Sequence, residues 1–119
     1  MDIILQETDP DILQILKYAL EEEQFSVYAV LELDSNFLEM IDKLRPHVIM
    51  LDYRLDGQSC LNICGQIKAR YPHLPVIAMS CNQNINEVYD RQGFDDYIAK
   101  PFDLDGLYAT LRKYIPRET

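Results

Sequence analysis

Short uninterrupted apolar runs alternate along this chain with stretches whose apolar positions fall at helical spacing. The runs are IIL at 3–5, FSVYAV at 25–30, VIML at 48–51, VIAM at 76–79 and YIA at 97–99. Each has the length of a strand. The runs at 48–51 and 76–79 lack a polar face, as expected of parallel strands covered on both sides. Between the runs the period changes. Ile12, Ile15, Leu16, Ala19 and Leu20 form one apolar stripe of a helix, with Asp9 as its N-cap and Pro10 at the first helical position, where a missing N–H costs nothing. Further helices are expected from SNFLEMIDKL, closed by Pro46, from CLNICGQIKARY, closed by Pro72, and from NINEVYDRQ, closed by Gly93. The last starts at Asp103 and carries Leu104, Leu107, Tyr108, Leu111 and Ile115.

Five strands and five helices in strict alternation imply right-handed crossovers and a parallel sheet with helices on both faces, an α/β fold. No internal repeat, linker or low-complexity segment interrupts the pattern. The 119 residues suit a single domain spanning 1–119, with its core over about 3–115.

Composition narrows the function classes. With 48% hydrophobic and 26% charged residues the chain is expected to fold, not to remain disordered. A net charge of -9 repels phosphate backbones and anionic lipids, which argues against direct nucleic-acid binding and against a membrane surface. The N-terminus is acidic where a signal peptide is basic and then apolar, and no apolar run approaches the ~20 residues of a membrane span. A cytoplasmic location is expected. Three cysteines fit a reducing compartment. Cys60 and Cys64, four apart, have Cβ atoms about 5–6 Å apart on a helix, too far for a disulfide, so core packing is their expected role.

In an open α/β sheet, ligands bind at the carboxyl ends of the strands near the point where strand order reverses. Glu7 ends the first run and Asp52 the third; Ser80 follows the fourth and Lys100 the fifth. If the first and third strands are central neighbours, both acids share one crevice with the serine and the lysine. Singly, each has a plain reading: a solvated loop acid, a cap, a surface lysine. Asp52 stands apart because a fully apolar strand places it.

HVIMLD ending in Asp52, PVIAMS ending in Ser80 and DDYIAKPF containing Lys100 and Pro101, in this order and separation, strongly resemble the receiver domain of two-component response regulators. The resemblance implies a doubly wound sheet of order 2-1-3-4-5 with five helices, a flavodoxin-like three-layer sandwich. It further implies that Asp52 accepts a phosphoryl group from a histidine kinase or phosphotransfer protein, with Lys100 and Ser80 contacting the phosphoryl oxygens. Mg2+ is then held by Glu7, Asp52 and the backbone carbonyl of Arg54. Lys100 and Pro101 resemble the family's cis peptide, which aims the lysine into the crevice. Ser80 and Tyr97 match the switch pair, whose output is a changed surface over the fourth helix, fifth strand and fifth helix, a region that includes Phe102 and engages a downstream effector. Such a domain is a signalling module and not an enzyme, beyond self-phosphorylation from a phosphodonor and slow autodephosphorylation. Homodimerisation stays open.

The chain departs from the family's pattern in three places. Thr8 stands where a second acid usually contacts the metal, which implies weakened Mg2+ affinity; Asp9 is the next acid, but the helix cap explains it better. The Arg54 side chain either pairs with Glu7 or Asp52 or points to solvent. DGQSC after Leu55 lacks the proline and acid-glycine pair often seen before the third helix. The alternative reading is a degenerate pseudo-receiver, a phosphorylation-independent protein-interaction module. A hydrolase or flavin carrier is poorly supported, because the chain has neither a glycine-rich phosphate loop after the first strand nor a G-x-S-x-G elbow. His47 and His73 flank prolines and are expected at the surface without a role in phosphotransfer. Glu21, Glu22 and Glu23 are expected to form a solvated helix end.

Overall fold

A computed structural model describes residues 2–34, 36–53, 58–81, 85–89, 93–100 and 103–114, the side chains of Ser59 and Val88 excepted. Along the chain these form β1 (Asp2–Gln6), α1 (Pro10–Glu22), β2 (Ser26–Val30), α2 (Phe37–Leu44), β3 (Val48–Asp52), α3 (Gln58–Arg70), β4 (Val76–Ser80), α4 (Ile85–Val88), β5 (Asp96–Ala99) and α5 (Leu104–Arg112). The strands form one parallel sheet of order β2-β1-β3-β4-β5. This is the doubly wound order, with β1 and β3 as central neighbours. Ile4 lies beside Ile49, Asp52 beside Met79 and Ser80 beside Ala99, so the carboxyl ends of the strands come out on one edge.

The alternation of side chains along each strand divides the core into two layers. Ile4, Ile49, Leu51, Val76 and Ala78 face α2, α3 and α4 through Phe37, Ile41, Cys64, Ile67 and Ile85. Ile3, Leu5, Val48, Met50, Ile77 and Met79 face α1 and α5 through Leu16, Leu20, Leu107 and Leu111. Every residue of β3 and β4 is buried, as their unbroken apolar runs require.

Helix boundaries follow their caps. The Asp9 side chain accepts from the N–H groups of Asp11 and Ile12, at 2.9 and 3.4 Å, and starts α1 with Pro10 in its first turn. That helix ends through Gln24 at φ 70, in the left-handed region, with the Phe25 N–H donating to the Leu20 carbonyl at 3.1 Å. Asp103 caps α5 by accepting from the Gly106 N–H at 2.9 Å.

Several expectations change in detail. Ile15 belongs to the periodic stripe of α1 but is 60% exposed, because Leu16, Ala19 and Leu20 already fill the contact with the sheet. Within the stretch NINEVYDRQ the described residues form α4, Ile85–Val88, followed by Tyr89 in a turn, and residues 84 and 90–92 lie outside the described residues. Beyond them Gly93, at φ 96, takes a conformation that side chains rarely adopt, and its carbonyl accepts from the Cys64 thiol at 3.5 Å. The third helix starts at Gln58, two residues before the expected cysteine, while Asp56 and Gly57 lie outside the described residues, as does Ile115 at the end of the last helix.

Cys60 and Cys64 are buried free thiols, in accord with a packing role. Burial, with the nearby charges of Cys64 and Asp52, pushes Cys60 up to about 12; burial and Asp95 push Cys64 up to about 11. His47 and His73 are exposed, and Glu21, Glu22 and Glu23 are exposed at the end of α1, where Glu23 pairs with Arg112 at 3.0 Å. Among the described residues no helix is long and apolar enough to cross a membrane.

Candidate functional site

The carboxyl edge of the sheet gathers three charges. Glu7 follows β1, Asp52 ends β3, and Lys100 follows β5. The Lys100 ammonium donates to both Glu7 oxygens, at 2.7 Å to Oε2 and 3.0 Å to Oε1, and to Asp52 Oδ1 at 2.9 Å. All three are deeply set, with side-chain exposures of 10% for Lys100, 1% for Glu7 and 4% for Asp52. An ammonium so far from water requires neutralisation, and the two carboxylates supply it.

The backbone sets this arrangement. The Lys100 N–H donates to the Ser80 carbonyl at 2.8 Å, and the Tyr53 N–H to the Met79 carbonyl at 2.8 Å, which fixes the ends of β5 and β3 against β4. The Glu7 N–H donates to the Val30 carbonyl at 3.1 Å, continuing the β1–β2 ladder by one residue. Parallel pairing therefore carries the acid pair and the lysine to one place.

Burial raises the cost of ionising Asp52, but the Lys100 ammonium and the hydrogen bonds from Thr8 outweigh it and hold the carboxyl below its usual range. Burial likewise works against the charge on Lys100, and its contacts with Glu7 and Asp52 overcome that and raise its pKa. Asp52 is thus an ionised, charge-paired carboxylate.

Thr8 is exposed, and its backbone N–H donates to Asp52 Oδ2 at 3.3 Å. Its hydroxyl lies 3.5 Å from the Gln6 amide nitrogen. Asp9 caps α1. Ser80 is buried at the end of β4. Tyr97 is half-buried on β5 and packs against Tyr89, with ring centroids 5.0 Å apart. Arg54, Pro101 and Phe102 lie outside the described residues, and so do the metal carbonyl, the peptide geometry and the output-face aromatic assigned to them.

Among the described residues no cluster of three or more His, Cys, Asp or Glu forms a metal-binding group. Mg2+ is commonly held by one or two carboxylates and several waters. Glu7 and Asp52, converging on one cation, fit that donor set.

One residue escaped the sequence reading. Gln6 ends β1 with only 4% of its surface exposed, and its carboxamide reaches the Asp52 backbone. The signal was a polar residue on the same strand face as Ile4, directly after an apolar run.

The chain belongs to the response regulator receiver domain family, whose model matches residues 3–112. Its fold and strand order are those of that family, the signalling domain of two-component systems, which is generally not a catalytic enzyme and interacts with histidine kinases and effector domains. The receiver domain of NtrX from Brucella abortus is 29% identical, with a TM-score of 0.81 over 95% of this chain and 97% of that one. Longer NtrX from the same organism, in complex with ADP, is 28% identical with a TM-score of 0.81; the match covers 95% of this chain and only 26% of that one. Response regulator TrrA from Thermotoga maritima, in complex with Mg2+-BeF, shares the fold at 21% identity and a TM-score of 0.82, over 96% of this chain and 98% of that one.

Proposed function

We propose that this receiver domain accepts a phosphoryl group on Asp52 from a histidine kinase or phosphotransfer protein and answers with a changed partner-binding surface. The observation that carries the reading is the Lys100 ammonium shared between Glu7 and Asp52 at the carboxyl edge of the sheet. An ionised Asp52 is ready to attack phosphorus without a base. One carboxylate oxygen forms the new P–O bond as the P–N bond of a phosphohistidine breaks, and the imidazole leaves with the electron pair and takes up a proton. Lys100 is placed to follow the transferred charge, because its contact with Asp52 is already made. Ser80, at the end of the neighbouring strand, donates its hydroxyl to a phosphoryl oxygen.

Glu7, Asp52 and the backbone carbonyl of Arg54 would hold Mg2+, which when bound neutralises negative charge on the phosphoryl group. The Mg2+-BeF complex of TrrA supports carrying that metal to this chain.

The output face is the one over α4, β5 and α5. In support, β5 is an edge strand, and a groove of about 490 Å3 runs beside it, lined by Tyr97, Ala99, Asp103, Leu107 and Lys113 among others. Movement of Ser80 toward a phosphoryl group draws on the Tyr97–Tyr89 contact and changes that face for an effector. Titrating the chain with beryllofluoride and Mg2+ tests the reading by amide NMR. Shifts at Asp52, Ser80 and Lys100 that extend to Tyr97 are expected; an unchanged spectrum at saturating ligand contradicts it.

A further inference from the structure

We infer that Gln6 is a positioning residue that fixes the backbone of the Asp52 nucleophile, an inference that rests on the phosphoacceptor reading above. Its Oε1 accepts from the Asp52 N–H at 3.1 Å, and its Nε2 donates to the Leu31 carbonyl at 2.9 Å. The same nitrogen lies 3.5 Å from Thr8 Oγ1, and the Thr8 N–H in turn donates to Asp52 Oδ2. One buried carboxamide thus binds the nucleophile's peptide, touches the residue that holds its carboxylate, and ties both to the exit of β2. That exit also holds Glu7, through the Val30 carbonyl.

The chemistry explains the residue type. The side chain meets an acceptor, the Leu31 carbonyl, in a part-buried bond and a donor, the Asp52 N–H, in a buried one, and a carboxamide offers both kinds of group at once. A valine or leucine completes the apolar strand but removes the side-chain partner of both groups. A carboxylate or an ammonium satisfies one of them only. An apolar residue is what a strand flanked by Ile4 and Leu5 otherwise calls for, so the amide is explained by what it binds.

Positioning matters here because Asp52 has to present one oxygen in line with a leaving group while Lys100 holds the other charge in place. Loss of the Gln6 side-chain bond weakens the hold on the Asp52 peptide and lets the carboxylate shift with it, without removing any group that touches phosphorus. The expected signature is a lower maximal rate with unchanged donor binding.

The test compares the wild-type chain with Gln6→Met, using acetyl phosphate and Mg2+ and following phosphoryl uptake against donor concentration. The variant is expected to lose roughly tenfold in maximal rate at an unchanged half-saturating donor concentration. By amide hydrogen exchange, its Asp52 N–H loses protection while that of Met50 keeps it. A variant with wild-type rate and wild-type protection at Asp52 overturns the role. If Gln6→Met does not fold, exchange of the Gln6 side-chain NH2 in the wild type decides: slow exchange supports a carboxamide held by Leu31, and free exchange overturns it. A wild-type chain that takes up no phosphoryl group overturns the phosphoacceptor reading and this role with it, whereas a phosphorylated wild type with an equally fast variant overturns this role alone.

Discussion

Asp52 sits where burial and charge pull in opposite directions, and the ammonium of Lys100 decides the outcome. Its pKa lies below the ordinary 3.8, so the stability it contributes is complete above that value and is lost as the pH falls through the lowered one. Lys100 is raised above 10.5, and its contribution is complete below that value and is lost as the pH rises through the raised one. Lys100→Met leaves two carboxylates facing each other without their cation. It is expected to lower the unfolding free energy by roughly 3 kcal/mol at pH 7. In urea titrations that deficit should shrink as the pH falls from 3.8 through the lowered folded-state value of Asp52, where the pairing is lost; a deficit independent of pH would show that the lysine acts through packing alone. Thr8 poses a separate question, because its backbone already serves Asp52 while its side chain offers the crevice no charge. Thr8→Asp keeps the backbone donor and adds an acid, so Mg2+ binding followed by Tyr53 fluorescence should tighten on the order of tenfold. An unchanged affinity would mean that Glu7 and Asp52 already suffice.

The start of α1 shows how closely helix caps and site chemistry adjoin. Asp9 lies two residues beyond Glu7, yet its carboxylate is committed to the first turn of the helix. Asp9→Ala should therefore cost about 1 kcal/mol of stability in urea unfolding, and leave Mg2+ affinity as it was. A loss of metal binding would reassign Asp9 to the crevice. Elements of this kind were legible in the sequence because their signals are local: Asp9 and Pro10 announce a helix start, and the unbroken runs of β3 and β4 announce double burial. Ile15 misled because a periodic apolar residue marks a helix without saying where its buried face ends. Gln6 was missed because its meaning lies in Asp52 and Leu31, 46 and 25 positions away. The convergence of Glu7, Asp52 and Lys100 was readable, but only with the strand order that family resemblance supplied.

The fold as a whole keeps its fastenings and its site at opposite edges of the sheet. At the amino end of β5, Asp96 accepts from the Tyr114 hydroxyl at 2.8 Å, and Lys68 pairs with Asp95 at 2.9 Å, joining the ends of α5 and α3 to the strand. Burial and the Asp96 carboxylate push the Tyr114 phenol well above its ordinary value, so it stays a proton donor. At the carboxyl end, the buried charges are held by hydrogen bonds that a phosphoryl group would rearrange. On the proposed function, this carboxyl edge takes a phosphoryl group at Asp52. Intact-mass measurement after incubation with acetyl phosphate and Mg2+ tests it most directly. The wild-type chain should gain the mass of a single phosphoryl group and Asp52→Asn none; a wild type that gains nothing, or a variant that gains as much, would contradict the account.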